Sequence, residues 1–497
     1  MPPWYTPLQA WRSVLYRVGV AKALDAGRPA GVPGTNFARN RGRGCVSTKI
    51  SLLTLGCDKN AVDTEILAYV LREAGYTVVP PEEEADVRVV NTCAFIREAK
   101  ETSLAALFRA AREKKRGRLR AVIATGCLVQ RYGEVLREEL PEVDGFLGTG
   151  DLEHISEAVR RALAGERPFF VSAPENASYE HYRRLRSPGP VAYVKVAEGC
   201  HRRCSFCAIP LVRGGLRSRS LRSVVAEVEA LLEEGAREVV LVAQDLSAYG
   251  LDLASRSLLP DLIRALAPLF RGRWLRLLYL YPSGITTELL EAMARSSGVV
   301  PYFDISLQHV VPELLRRMGR DPRAWDAEGI VRRIREFFPD AALRSSFIVG
   351  FPGETEEDFA ALFEFVERVE IEHVGAFPYS PEEGTRAFAL REGRVLLRER
   401  RRRAELLMEV GRKVAERRNG RRLGRVVPVL IERILPNGEA VGRTPYDAPE
   451  IDGHTVVRGY GGPAGEFALV RLEHAWETET FGTFVSAEVA DETPHGR

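Results

Sequence analysis

Three of this chain's cysteines fall within eight residues, in the run Cys200-His-Arg-Arg-Cys204-Ser-Phe-Cys207, directly after the apolar alternating segment VAYVKVAEG. The alternation predicts a strand, and thiolates spaced this closely can converge on one metal centre. Three ligands suit a four-iron cluster, because each caps one iron and the fourth iron keeps an open position. A structural zinc site would need a fourth ligand. His201 is the nearest, but it adjoins Cys200 and is poorly placed to share its ion. The spacing therefore favours an iron–sulfur site with room for a small-molecule ligand, over zinc or three unrelated buried thiols.

The other cysteines are Cys45, Cys57, Cys93 and Cys127. An odd total of seven, in a chain without a convincing secretory signal, predicts reduced thiols in a cytoplasmic setting and no disulfide framework. Cys57, Cys93 and Cys127 close the strand-like runs LTLGC, DVRVVNTC and RAVIATGC. In an open parallel sheet the ligand crevice lies beyond the carboxyl ends of the strands, so three cysteines in that position are expected to meet. The competing reading is three small buried hydrophobes. Cys45 belongs to neither trio.

At 497 residues the chain should divide into two to four domains. No uninterrupted apolar run approaches the ~18 residues that would predict a membrane span. Residues 1–47 have one acidic residue, Asp25, and no sustained periodicity, and predict a disordered leader; translation starting near Val46 would account for it. Residues 48–164 alternate strands and amphipathic helices, which predicts a parallel α/β domain. Pro168, Pro174 and Pro188 mark 165–189 as a linker. Over 190–418 six strand-like runs, VAYVKVAEG, EVVLVAQD, LRLLYLY, YFDISLQH, LRSSFIVGF and HVGAFPYS, are each followed by room for a helix. They predict a full or partial (β/α) barrel with its chemistry at the C-terminal strand ends. The arginine-rich helix that follows, with Arg400–Arg403 and Arg412–Arg418, is expected to be a solvated face. Residues 419–486 predict a small antiparallel β-barrel, and 487–497 a tail.

A C-x3-C-x2-C run at the end of the first strand of a barrel resembles the signature of the radical S-adenosylmethionine enzymes. In them the open iron binds the amino and carboxylate groups of S-adenosylmethionine, and one-electron reduction releases a 5′-deoxyadenosyl radical. On that resemblance Ile348-Val-Gly350-Phe-Pro-Gly353 is the adenine-side loop, which makes Ile348, Gly350 and Gly353 cofactor contacts. The motifs LGCDKNAVDTE, VVNTC, ATGCLVQRY, EGCHRRCSFCAIP and GFPGET, with the terminal barrel, extend the likeness over about residues 48–485 to one group, the methylthiotransferases. The resemblance implies a flavodoxin-like first domain, a radical-SAM barrel and a terminal barrel of the TRAM type. It also implies two [4Fe-4S] clusters, one on Cys57, Cys93 and Cys127 and one on Cys200, Cys204 and Cys207. S-adenosylmethionine would serve as methyl donor and radical source for converting C–H to C–SCH3.

One branch of that family modifies the β-carbon of an aspartate in small-subunit ribosomal protein twelve, the other adenosines of transfer RNA. Gln244-Asp245-Leu-Ser-Ala-Tyr249-Gly250 and Asp447-Ala-Pro-Glu450-Ile-Asp452-Gly453 resemble the ribosomal-protein branch. From Val426 onward twelve acidic side chains face five basic ones. That polarity should repel transfer RNA and steer a basic ribosomal protein, so Asp447, Glu450 and Asp452 are expected to contact substrate. Turn-forming acids are the competing reading. The resemblance further implies a flavodoxin-type electron donor. Ser306 and Asp58 stand where the branch often has proline. A non-catalytic electron carrier is the alternative from another class, but it would normally saturate its clusters with four protein ligands.

Overall fold

The computed structural model describes residues 47–176, 179–180, 182–324 and 326–487. The expected leader, Cys45 and the tail from 488 lie outside them.

The Val- and Ile-rich runs of the first domain are buried on both faces, as parallel strands covered by helices must be. In chain order they are β1 (Lys49–Thr54), α1 (Asp58–Glu73), β2 (Thr77–Val79), β3 (Val87–Thr92), α2 (Arg97–Lys115), β4 (Ala121–Gly126), α3 (Cys127–Glu139), β5 (Gly145–Leu147), α4 (Ile155–Leu163) and β6 (Phe169–Phe170). The sheet runs β2-β1-β3-β4-β5-β6, parallel throughout. Because β1, β3 and β4 are neighbours, their carboxyl ends, which lead into the three cysteines, lie side by side. Part of the expected linker is tied down. Phe169 and Phe170 form the last strand, Tyr179 is buried, and Arg184 pairs with Glu65 and Glu227 at 2.9 and 3.0 Å. Aromatic burial and paired charge outweigh the prolines there.

The second domain contains β7 (Val191–Lys195), β8 (Ala197–Glu198), α5 (Ile209–Arg213), β9 (Arg217–Ser218), α6 (Leu221–Glu233), β10 (Glu238–Val242), α7 (Leu259–Leu266), β11 (Trp274–Leu277), α8 (Thr287–Ala294), β12 (Tyr302–Gln308), α9 (Pro312–Arg317), α10 (Ala327–Phe337), β13 (Ala342–Val349), α11 (Glu356–Arg368) and β14 (His373–Pro378). Two three-stranded parallel sheets, β11-β10-β7 and β12-β13-β14, are joined by the bridges Leu275 to Val299 and Leu280 to Ile305. The six expected strands therefore form a partial barrel whose edges, β7 and β14, do not pair. Helix α1 of the first domain packs against β7. On β13, Leu343, Ser345, Phe347 and Val349 are buried, while Arg344, Ser346 and Ile348 alternate onto the half-buried face.

Helix α12 (Leu397–Gly420) has the expected solvated basic face in Arg398, Arg401, Arg402, Lys413 and Arg417, but not all of its arginines lie on it. Arg400, Arg403 and Arg418 are buried. Arg403 pairs with Glu354 at 2.7 Å and Arg400 donates to the Tyr379 carbonyl at 2.7 Å. Glu399 and Glu409 of the same helix pair with Arg403 and Lys413, both at i,i+4, while Glu354 and the Tyr379 carbonyl come from other segments.

The last domain is a closed barrel of β15 (Val426–Ile434), β16 (Ala440–Arg443), β17 (Thr455–Arg458), β18 (Phe467–Trp476) and β19 (Glu479–Ser486), antiparallel except for the β17–β19 pair. It covers the N-terminal end of the larger barrel. Arg443 reaches Glu238 at 2.5 Å, and Leu430 and Ala448 share a core with Val240, Trp274 and Tyr302. No helix among the described residues is long and apolar enough to cross a membrane.

Candidate functional site

Glycine precedes Cys57, Cys127 and Cys200, each time with positive φ: +97° at Gly56, +92° at Gly126 and +75° at Gly199. A side chain is strained in that region and glycine is not, so the Gly-Cys pair turns the chain sharply at the strand end and presents the thiol. At Gly56 the turn also brings the backbone against Cys93, where an added Cβ would lie 2.8 Å from its Cβ and 3.0 Å from its Sγ.

Asn60 organises the first trio. Its side-chain amide donates to the Leu55 carbonyl at 2.8 Å and the Thr92 carbonyl at 3.1 Å, joining the β1 and β3 ends, and Asn91 donates back to the Asn60 carbonyl at 2.9 Å. The Cys127 thiol points at Asn60 Oδ1, 3.7 Å away. Cys93 is buried, Cys127 half-buried and Cys57 exposed. Burial, then the neighbouring Cys127, pushes the Cys93 thiol up to about 12. Burial also raises Cys127, and Arg213 opposes it. Arg213 comes from the other domain, at the end of α5. Its Nη2 lies 3.3 Å from Cys127 Sγ and 2.6 Å from Asn60 Oδ1, and its Nη1 donates to Asp63 and Glu198 at 2.8 and 3.1 Å.

The second trio sits on the loop after β8 and lines an open pocket of about 660 Å3 with Leu211, Leu251 and Arg386. Burial pushes the thiols of Cys200 and Cys207 up to about 12; the Arg202 amide, 3.4 Å from Cys200 Sγ, opposes the first shift, and Cys204 adds to the second. Arg202 and Arg320 stack on opposite sides of the contact with Tyr281, 3.8 and 3.9 Å from its ring centre, and Arg320 Nη1 lies 3.6 Å from Cys204 Sγ. Among the described residues no three His, Cys, Asp or Glu side chains are arranged to hold a single metal ion. A cubane cluster asks for a looser set, with thiolates at separate corners. The mutual influence of the thiols in each trio, and the guanidinium donor beside each, fit a polynuclear centre with a delocalised negative ligand set.

Other sequence expectations change. The amides of the expected adenine-side loop are used within the fold: Gly350 N–H donates to Glu354 at 2.7 Å and Gly353 N–H to the Gly393 carbonyl at 2.7 Å. Their glycine character answers to positive φ and to the close approach of Arg400 and Arg317. Ile348, half-buried near the end of β13, packs against the cluster that contains Phe351 and Tyr379. The side chains of Asp447 and Asp452 are buried. Asp452 accepts from Arg344 and from the Tyr302 hydroxyl, both at 2.6 Å, and Asp447 from Thr444 at 2.5 Å. Asp452 thereby anchors the small barrel to the larger one, while Asp447 is held within its own loop, 4.0 Å from His373. Glu450, left-handed at φ 66°, is the exposed member of the set. Part of the acidic excess of this barrel is likewise spent internally, since Glu466 pairs with Arg237 at 2.5 Å.

The trios belong to different domains, joined at a seam by Lys195 to Asp63 at 2.5 Å, Lys100 and Arg131 to Glu382 at 2.7 and 2.6 Å, and Tyr279 Oη to Asp58 Oδ1 at 3.0 Å. Sequence reading singled out none of Asn60, Asn91, Arg213, Arg320 or Tyr279. Asn60 and Asn91 sit inside LGCDKN and VVNTC, where an invested polar residue beside a cysteine was the available signal. Arg213 and Arg320 carry no local mark.

Three family profiles match the chain: uncharacterized protein family UPF0004 over residues 49–148, the radical SAM superfamily over 194–366 and the TRAM domain over 423–485. The chain is 45% identical over 414 residues to the ribosomal protein uS12 methylthiotransferase RimO of Thermosynechococcus vestitus, covering 83% of this chain and 91% of the relative. It is 42% identical over 441 residues to the protein of the same name from Desulforamulus reducens, covering 87% and 98%. Among solved structures it is similar to the radical S-adenosylmethionine methyltransferase TsrM of Kitasatospora setae, at TM-score 0.49 and 17% identity, over 69% of this chain and 77% of that one.

Proposed function

This chain belongs to the RimO family of ribosomal protein uS12 methylthiotransferases, and from that membership we propose that it converts the β-carbon C–H of an aspartate of uS12 to C–SCH3. The observation that carries the reading is the pair of three-cysteine sites in adjoining domains, with Arg213 running from the helix after Cys207 to the thiol of Cys127.

Cys57, Cys93 and Cys127 would hold one [4Fe-4S] cluster and Cys200, Cys204 and Cys207 the other. When bound, these groups supply one-electron cleavage of S-adenosylmethionine at the barrel site and a sulfur-carrying centre at the other. The chain's own residues do the positioning. A carbon radical is quenched by almost any hydrogen donor, so the two sites must be held in fixed register around the target carbon. Arg213, Lys195, Asp63 and Glu198 form a buried ion network across the seam. In it Arg213 and Lys195 overcome burial and keep Glu198 ionised, which gives the register its stiffness. S-adenosylmethionine would serve both as radical source and as methyl donor, with Ile348, Gly350 and Gly353 on its adenine side. Exposed His201, Arg203 and Arg386 rim the barrel-site pocket and suit an acidic one-electron donor of the flavodoxin type. Thiols that must stay reduced suit the cytoplasm.

Protein reconstituted anaerobically with iron and sulfide should, with S-adenosylmethionine and dithionite, add a methylthio group to the uS12 aspartate, read by peptide mass spectrometry. A mass gain on transfer RNA with none on uS12 would overturn the assignment.

A further inference from the structure

The seam between the two sites contains a buried cation that is ion-paired but makes no hydrogen bond among the described residues. Lys59 is the second residue of α1, two residues after Cys57. Its side chain is 9% exposed, and its Nζ has no hydrogen-bond partner among the described residues. It is nonetheless held from two sides. The ring of Tyr279, from the C-terminal end of β11, lies 3.2 Å from Nζ, and Asp58 Oδ1 lies 3.1 Å away. Asp58 is fixed in turn by the Tyr279 hydroxyl through that same oxygen, while its Oδ2 is buried without a partner. Tyr279 adopts φ 65°, unusual for a bulky residue, and its N–H donates to Asp304 at 2.9 Å. A strained residue of one domain therefore clamps an ion pair of the other, beside a metal-site cysteine.

Burying an ammonium and leaving its N–H groups unbonded costs several times what an ordinary surface lysine costs. The pair has one donor and one acceptor free, side by side, and the adjoining Gly56 and Cys57 are exposed. Its complement is a molecule carrying an anionic acceptor and an N–H donor a few bonds apart. An aspartate within a peptide is such a group, through its side-chain carboxylate and its backbone amide. The carboxylate carbon is bonded directly to the β-carbon, so gripping the carboxylate beside Cys57 brings the reacting carbon to the sulfur-carrying site.

We propose that Lys59 binds the side-chain carboxylate of the target aspartate and so selects aspartate as the residue modified, with Asp58 accepting from the peptide backbone. The proposal rests on the uS12 reading above. Free S-adenosylmethionine also offers a carboxylate and an amine, so the test separates the two.

Reconstituted full-length protein is given a synthetic peptide of the uS12 loop with the target aspartate, and the same peptide with asparagine there. Binding is followed by fluorescence anisotropy, product by mass spectrometry, S-adenosylmethionine affinity by equilibrium dialysis and iron by chemical analysis. The wild-type chain should bind the aspartate peptide roughly ten- to a hundredfold more tightly, the value of a hydrogen bond to a charged group. Lys59→Met should bind both peptides equally weakly, with iron content, S-adenosylmethionine affinity and peptide-independent 5′-deoxyadenosine release unchanged. Lys59→Arg should recover part of the preference. The proposal is overturned if the wild-type chain does not distinguish the peptides, if Lys59→Met keeps the preference, or if that variant loses S-adenosylmethionine affinity or iron instead. Failure of the wild-type chain to methylthiolate the aspartate peptide it binds would overturn the functional reading and leave the discrimination measurement standing.

Discussion

The two cysteine trios reach the same donor set by opposite routes. The barrel trio is encoded locally, on one loop beside an open pocket. The first trio is assembled by topology, one thiol beyond each of three adjacent parallel strands, and is stitched by Asn60 and Asn91. Each has a guanidinium beside one thiol, but in different company. Arg213 is fully enclosed and hydrogen-bonds Asp63 and Glu198, whereas Arg320 stacks on Tyr281 and bonds the Ser306 carbonyl. A local loop can be altered without disturbing the fold around it, while an assembled site is part of the domain's frame. The second kind should fail together with its surroundings.

The sharpest division comes from removing one ligand at each site. Cys204→Ala should abolish cleavage of S-adenosylmethionine, and Cys93→Ala should spare it while stopping methylthiolation. Each variant should lose about half the iron, since two cubanes hold about eight. 5′-Deoxyadenosine by chromatography and product by mass spectrometry separate the cases, and a Cys93→Ala enzyme that still makes product would break the comparison. The glycine turns should reproduce it without touching a thiol. In Gly56→Ala the new methyl meets Cys93 and in Gly199→Ala it meets the Gly215 carbonyl at 2.0 Å, so iron should fall at the first site in one variant and at the second in the other.

A smaller effect separates the two arginines. Arg213→Gln leaves Asp63 and Glu198 with Lys195 as their remaining partner in the network, and breaking such a buried set costs about 3–5 kcal/mol. Arg320→Gln gives up a cation–π contact and a hydrogen bond to Cys204, about 1–2 kcal/mol. Urea unfolding midpoints of the two variants measure the difference. Equal losses would mean that the assembled site is no more part of its frame than the loop is. The Arg320 change should appear instead as a lower reduction potential of the barrel cluster, because hydrogen bonds to the ligand sulfurs raise it.

How far these sites were legible follows the same line. All six barrel strands and the three strand-end cysteines stood out, because alternation and strand closure are local properties. The pairing of Arg403 with Glu354, the anchoring of Asp452 by Arg344 and the reach of Arg213 to Cys127 were not legible. A charged residue reads as solvated until its partner is known, and these partners lie far along the chain. The acidic residues of the terminal barrel show the cost of averaging: net charge counts Asp447 and Asp452 as surface charge, but their side chains are buried, Asp447 against Thr444 and Asp452 against Arg344. Within the expected linker the prolines are local signals, whereas the burial of Tyr179 depends on partners far along the chain.

The smallest effect concerns what lies behind each site. At the barrel end His309 is fully buried after β12. Its Nδ1 accepts from the Val311 N–H at 3.1 Å, and its Nε2 has no hydrogen-bond partner among the described residues, with Glu354 3.9 Å away. Burial, reinforced by Arg403 and opposed by Asp358, pushes it down from 6.5 to about 4. The first domain has no such group among the described residues; His154 is half exposed on its surface. In the unfolded chain His309 takes a proton near pH 6.5, and in the fold it does so only near pH 4. The unfolded state therefore binds the extra proton, and stability falls as pH drops through that window and levels off below it. Between pH 7.5 and 5.5 the contribution is about 1.4 kcal/mol. Comparing urea midpoints of the wild-type chain and His309→Gln at the two pH values isolates it, because the carboxylates that titrate alongside are common to both. If both chains lose stability equally, the histidine is not held neutral and the barrel end is no more acid-sensitive than the assembled site.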